Sequence, residues 1–76
     1  MTLDALPLLK PATIDAVEGG DALAIRMRAM GLRAGREVMV VRRSRLGGPL
    51  QVRIGSTDLI LRPREARLVR LRTSSG

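Results

Sequence analysis

The sequence predicts a mainly β fold: a small barrel of about five short strands, with one main α-helix after the first strand and a short N-terminal helix. Five short segments alternate apolar and polar residues, a period typical of half-buried strands. Glycine or proline interrupts the chain between most of these segments, and closing a small sheet into a barrel removes most of its free edges. One stretch, residues 21–30, has helical spacing instead.

Composition limits the size and class of the protein. The 76 residues suffice for one domain, predicted over residues 1–72 with a loose tail at 73–76. Because the chain has no cysteine and no histidine, it offers neither a disulfide nor the usual zinc ligands to stabilise its core. No apolar run approaches the roughly 20 residues that span a bilayer, and the first residues lack the basic start of a signal peptide. We therefore expect a soluble cytoplasmic protein.

The first third of the chain predicts a short helix, a strand and the main helix. Residues 2–9 favour a short helix with leucines on one side, although Pro7 disturbs it. Residues 13–17 alternate as a strand, and the glycine pair that follows ends it. Asp21 then has the position and the side chain to cap the main helix, which we expect to run to about Met30.

The end of the main helix has a specific pattern. Leu23, Met27 and Met30 follow the i, i+4, i+7 spacing of one apolar helix face. Gly31 is placed to end the helix with a positive φ, and Leu32 can then fold back onto the last apolar turn.

The second half of the chain reads as strands joined by tight turns. Gly55-Ser56 suits the turn of a β-hairpin because glycine accepts positive φ at the first central position. Pro63 favours the first position of a short helical turn. The predicted elements are strands at residues 37–43, 50–54 and 57–62, a turn at 63–66, and a last strand that buries Val69 and Leu71.

Charge is distributed unevenly. The net charge of +7 arises from −3 over residues 1–25 and +10 over residues 26–76, where all thirteen arginines lie. Arginine suits carboxylate and phosphate partners, but charged runs are also common on ordinary solvated surfaces. The absence of Phe, Tyr and Trp argues against nucleic-acid binding by aromatic stacking.

The side chains offer little for catalysis or metal binding. The chain has no histidine, no cysteine and no phosphate-binding glycine loop, so we do not expect an enzyme. Asp15, Glu18 and Asp21 are the closest carboxylates, and the last already serves as a helix cap. We interpret the other two as solvated, and Met27 and Met30 as core residues rather than metal ligands, so no metal and no cofactor is expected.

The helix end resembles the signature of the FeoA family, which reads roughly Arg-Leu-x-x-Met-Gly-Leu-x-Pro-Gly. Ala34 occupies the position of the family's usual proline. Residues 48–54, 59–62 and 65–66 look like the family's later strands and the turn between them, so the resemblance covers most of the chain. The matching residues are Arg26, Met27, Met30, Gly31, Leu32 and Gly35.

The resemblance implies an SH3-like barrel and a non-enzymatic accessory of bacterial ferrous iron uptake. Such a protein would dock on the cytoplasmic GTP-binding region of the FeoB membrane transporter, which would also place it at the inner membrane. Met39 and Val41 could instead pack beneath the helix, and the chain could form a homo-oligomer. The hypothetical docking residues are Arg26, Arg28, Met30, Leu32 and Arg33, with Met39, Val41 and Ile60 as an apolar centre.

Two other functions are compatible with the sequence. The basic second half suits a nucleic-acid-binding barrel whose affinity would fall steeply with salt, although the missing aromatic residues argue against it. The chain also resembles the C-terminal SH3-like domain of iron-dependent repressors, but it lacks a helix-turn-helix and would have to act on a separate DNA-binding protein.

Overall fold

The computed structural model describes residues 1–72. Its five strands form one antiparallel sheet in the order β4-β3-β2-β1-β5. The main helix follows the first strand, so the predicted mainly β class is confirmed, and the predicted tail at 73–76 lies outside the described residues. The elements are β1 (Ala12–Val17), α1 (Ala22–Ala29), β2 (Glu37–Arg43), β3 (Leu50–Ile54), β4 (Thr57–Leu61), α2 (Pro63–Ala66) and β5 (Val69–Leu71).

The predicted N-terminal helix is much shorter than residues 2–9. Only Leu3–Ala5 form a turn of 3-10 helix, and Leu6 already has the extended backbone angles φ −71° and ψ 127°. Pro7 explains this, because the ring of a proline disfavours helical angles in the residue before it. Leu3 and Leu6, the leucines expected on one side of the helix, are both buried nevertheless.

Residues 1–9, which we call the N-terminal segment, complete the sheet instead. The amide of Leu71 in β5 donates to the carbonyl of Met1 at 2.8 Å, and the amide of Leu9 donates to the carbonyl of Val40 in β2 at 2.8 Å. The segment therefore supplies backbone partners to β5 and to the middle of β2. These pairings cover backbone groups that would otherwise face solvent.

The core is wholly apolar among the described residues. Its members come from every strand, from α1 and α2, and from the N-terminal segment, and no polar or charged side chain is buried with them. In β3 the buried positions alternate with more exposed ones, as the sequence predicts. The largest fully buried side chains are Leu3, Ile14, Met27, Leu32, Leu50, Leu61, Val38, Val40, Val52 and Val69.

The β3–β4 hairpin fixes the outer surface of the sheet. Its pairing runs without interruption from Leu50 opposite Leu61 to Ile54 opposite Thr57. Gly55 opens the turn with a φ of 61°, in agreement with the predicted hairpin.

Candidate interaction surfaces on the helix and the sheet

The start of α1 is capped as predicted. The amide of Ala24 donates to Oδ1 of Asp21 at 3.1 Å, which satisfies one of the backbone N–H groups that have no partner within the helix. The negative carboxylate also lies at the positive end of the helix dipole.

The chain turns sharply at the end of α1. Gly31 adopts a φ of 109°, and the amide of Leu32 donates to the carbonyl of Met27 at 3.1 Å. Leu32 thereby folds back onto the helix and is completely buried. The prediction that Leu32 belongs to a docking surface is therefore wrong, because its side chain is enclosed by the core.

The exposed side of α1 is mostly apolar. Met30, predicted on the buried face, is 39% exposed, and Ile25 is 58% exposed. Each residue of an α-helix is rotated by about 100° from the one before it, so Ile25 and Met30 lie about 140° apart around the helix axis. Ala22, Ala29 and Arg26 lie within this arc. We call this arc the helix patch: Ala22, Ile25, Arg26, Ala29 and Met30, all of them exposed.

Sequence reasoning missed Ile25, although the signal was present. Residues two positions apart lie about 200° apart around a helix, so Ile25 must point away from Leu23 and Met27 if those face the core. Every residue of α1 except Arg26 and Arg28 is apolar. Such a helix cannot bury its whole circumference against one small sheet, and its remaining apolar side is left on the surface.

Three arginines near the helix end have different roles. Arg28 Nη2 donates to the carbonyls of Val17 at 3.1 Å and Gly19 at 2.7 Å, which ties the helix to the loop that precedes it. Arg33 Nε donates to the carbonyl of Arg28 at 3.1 Å. Arg26 has the loosest contact, an ion pair of 3.7 Å with Glu65, and its side chain is 68% exposed. Arg26 is thus the arginine of this group most available to a partner.

The other predicted residues lie on the outer surface of the sheet. Met39 pairs with Arg53 across β2 and β3, and Ile60 pairs with Gln51 across β3 and β4. Val41 lies where the β2–β3 register shifts. Met39 and Val41 are half-buried, whereas Ile60 is 66% exposed. We call Met39, Val41 and Ile60 the sheet patch.

An ion pair lies beside the sheet patch. Arg53 Nε donates to Oδ1 of Asp58 at 2.7 Å, and Gln51 Nε2 donates to Oδ2 at 2.9 Å. These hydrogen bonds, that from Arg53 first, hold the pKa of the Asp58 carboxyl below its usual range. The carboxylate in turn raises the pKa of the Arg53 guanidinium.

The described residues do not gather metal ligands. Within residues 1–72 there is no group of three or more His, Cys, Asp or Glu side chains placed to hold a metal ion. Asp15 and Glu18 instead contact Arg70, at 3.4 and 2.8 Å. No helix in this part of the chain is long and apolar enough to cross a membrane.

These features define a class of protein: a small SH3-like barrel whose candidate sites are contact surfaces. The chain is similar in structure to a Stenotrophomonas maltophilia FeoA solved with zinc, a prokaryotic SH3-domain protein proposed as a ferrous iron transport activating factor. The TM-score is 0.85 at 38% identity, covering 95% of this chain and 89% of the other. It is also similar to iron(II) transport protein A of Clostridium thermocellum, with a TM-score of 0.88 at 34% identity, covering 93% of this chain and 44% of the other.

The FeoA domain model matches residues 1–73, and the chain belongs to the FeoA family, which is linked to ferrous iron transport. This is a family of accessory transport proteins. A manganese-dependent transcriptional repressor has a TM-score of 0.80 at 18% identity, covering 91% of this chain and 39% of that protein, which shows a shared fold alone. No curated protein matches the sequence significantly.

Proposed function

We propose that this protein is a non-enzymatic accessory of ferrous iron uptake that docks through its helix patch on the cytoplasmic GTP-binding region of a FeoB-type transporter. The observation that carries the proposal is the exposed apolar arc of α1 from Ile25 to Met30, with one exposed arginine within it. Interface centres favour methionine and arginine and contain few other charges. Membership of the FeoA family supplies the transport context.

The same proposal places the protein in the cytoplasm, because that is where the GTP-binding region lies. It makes the protein a regulator of the transporter by contact, without a cofactor or a catalytic step of its own. The sheet patch is a second possible docking surface, and Ile60 gives it one well-exposed apolar side chain.

Binding to the purified GTP-binding domain of the transporter from the same organism tests the proposal. Calorimetry with and without guanine nucleotide would measure affinity for the wild type and for Ile25→Ser and Arg26→Glu. Loss of a side chain that contributes to the centre of an interface weakens binding by about tenfold or more. Arg28 is a poor choice for charge reversal, since its hydrogen bonds to two loop carbonyls would break as well.

Ile60→Ser is the matched control, because it removes the same kind of side chain, 66% exposed against 58% for Ile25, from the sheet. Unchanged affinity for the Ile60 variant together with a loss for the Ile25 variant supports docking through the helix patch. The opposite pattern moves the interface to the sheet patch. A wild-type protein that does not bind in any nucleotide state refutes the proposed partner domain.

A further inference from the structure

The pairing of three strands brings an exposed leucine and several arginines to one end of the barrel. Arg43, Leu50 and Leu61 form one row across β2, β3 and β4. The loop of residues 44–49 and the residue after β4, Arg62, therefore leave the sheet at the same end. We call this surface the loop end: Arg42, Arg45, Leu46 and Arg62.

Leu46 forms the apolar tip of the loop end. Its side chain is fully exposed, and its backbone has a φ of 60°, in the left-handed region that leucine rarely adopts. The glycine that follows it also has a positive φ, of 71°. Turns of this kind favour glycine, asparagine or aspartate, so turn geometry does not explain a leucine at this position. Leu46 is therefore an exposed apolar side chain that the turn itself does not require.

The charges around Leu46 are almost entirely positive. Arg42, Arg45 and Arg62 are exposed, and none of them is paired with a described acidic side chain. Arg43 is already engaged, since its guanidinium donates to the carbonyls of Asp4 at 2.5 Å and Leu6 at 2.6 Å.

Two acidic residues contact arginines at this end, Asp4 through Arg43 and Glu65 through Arg62. The Asp4 side chain accepts a hydrogen bond from the Thr2 hydroxyl. Glu65 accepts from the backbone amide of Arg62 at 2.7 Å and pairs with Arg26. Hydrogen bonds to neutral groups leave these charges in place, but the four arginines Arg42, Arg43, Arg45 and Arg62 outnumber Asp4 and Glu65, so the net charge at this end is positive.

We propose that the loop end contacts an anionic lipid surface, with Leu46 entering the boundary between headgroups and acyl chains. An apolar tip ringed by cations matches the two attractions that hold proteins at such a surface, burial of apolar area and attraction to anionic headgroups. Nucleic acid would use the arginines, but a leucine contributes to such a contact only where it wedges between base steps. A single leucine on a protruding loop also lacks the surrounding apolar wall of a protein interface. This contact is independent of docking through the helix patch.

Fluorescence at a unique thiol tests the proposal directly, because the natural chain has no cysteine. A Leu46→Cys variant labelled with a polarity-sensitive dye would be mixed with vesicles of phosphatidylglycerol and phosphatidylcholine, or of phosphatidylcholine alone. We expect a blue shift with the anionic vesicles only, and a smaller one at high salt. The matched control is Ile25→Cys, an exposed apolar position on α1, where no shift is expected.

Flotation of the unlabelled protein with the same vesicles gives the affinity. Leu46→Asn keeps a residue that tolerates the left-handed backbone, and it should weaken binding by about tenfold or more through loss of apolar burial. Arg42→Ala and Arg45→Ala should each weaken it about fivefold, whereas Arg36→Ala, beside the opposite turn at Gly55, should have no effect. Thermal unfolding would establish that each variant is folded.

Several results would overturn the proposal. They are absence of wild-type flotation with anionic vesicles, equal flotation of the Leu46→Asn variant, and equal binding to neutral vesicles. Retention on DNA without binding to vesicles would assign the arginines to nucleic acid instead.

Discussion

The guanidinium of Arg28 lies 2.7 Å from the carbonyl oxygen of Gly19, so a side chain near the helix end fixes the loop at the helix start. The neighbouring Arg26 makes only a longer ion pair with Glu65. Of these two arginines in one helical turn, Arg28 therefore holds the loop before the helix, whereas Arg26 makes only a surface ion pair.

Replacing Arg28 with alanine should lower the free energy of unfolding by about 1–2 kcal/mol, since charged donors to two carbonyls are lost. Replacing Arg26 with alanine should change it by less than about 1 kcal/mol, the range typical of an exposed ion pair. Urea denaturation of the two variants measures the difference. Equal stability of the two would contradict the role assigned to Arg28.

Replacing Leu32 with alanine should destabilise the protein by about 2–5 kcal/mol, because the side chain is completely buried. Met30→Ala should cost less than about 1 kcal/mol, since Met30 lies at the surface. Thermal and urea unfolding would compare the two. A mild effect of Leu32→Ala would show that the chain turns away from the core after Gly31.

Replacing Gly48 with alanine should destabilise the β2–β3 loop, because the new Cβ would lie 2.7 Å from Cβ of Ser44. We expect a loss of about 1–3 kcal/mol, as in other overpacked positions. Adding Ser44→Gly should restore much of it, so a double-mutant cycle measures the clash itself. Gly20→Ala, with open space around the added carbon, is the control. Additive effects of the two changes would refute the clash.

Replacing Arg53 with alanine should raise the pKa of the Asp58 carboxyl, because its strongest hydrogen-bond donor is lost. Since folding lowers this pKa, the interaction stabilises the protein above the unfolded-state pKa of about 3.9 and is lost as pH falls through the folded-state pKa. Wild type and variant should therefore differ in stability at neutral pH and converge in acid. Carboxyl NMR titration gives the pKa directly; an unchanged value would contradict the contact.

Local patterns predicted most of the secondary structure. The bounds of β2, β3 and α2 agree with the sequence-based expectation, because alternation and glycine or proline punctuation are properties of short segments. The cap at Asp21 and the turn at Gly31 were predictable for the same reason. Asp21 and Gly31 act on the backbone beside them, so neither feature depends on distant parts of the chain.

Long-range relationships were not predictable in this way. Residues 1–9 pair with β2 and β5 through backbone groups, which leave no side-chain pattern in the sequence. The 39% exposure of Met30 depends on which side of the helix packs against the rest of the fold. Nothing in the spacing of Arg26 and Arg28 distinguishes the one bound to loop carbonyls from the one that faces solvent.

The strand order also affects when this fold can form during synthesis. β1 lies between β2 and β5, and β5 lies about fifty residues further along the chain. On the ribosome, β1 therefore lacks one neighbouring strand until residues 69–71 emerge. The carbonyl of Met1 likewise has no hydrogen bond from the amide of Leu71 before that point. Such distant pairings slow folding because a long loop must close before the contacts form. Until then the apolar side chains of β1 can associate with other unfolded chains and aggregate. Expression temperature and chaperones should therefore affect how much folded protein is recovered.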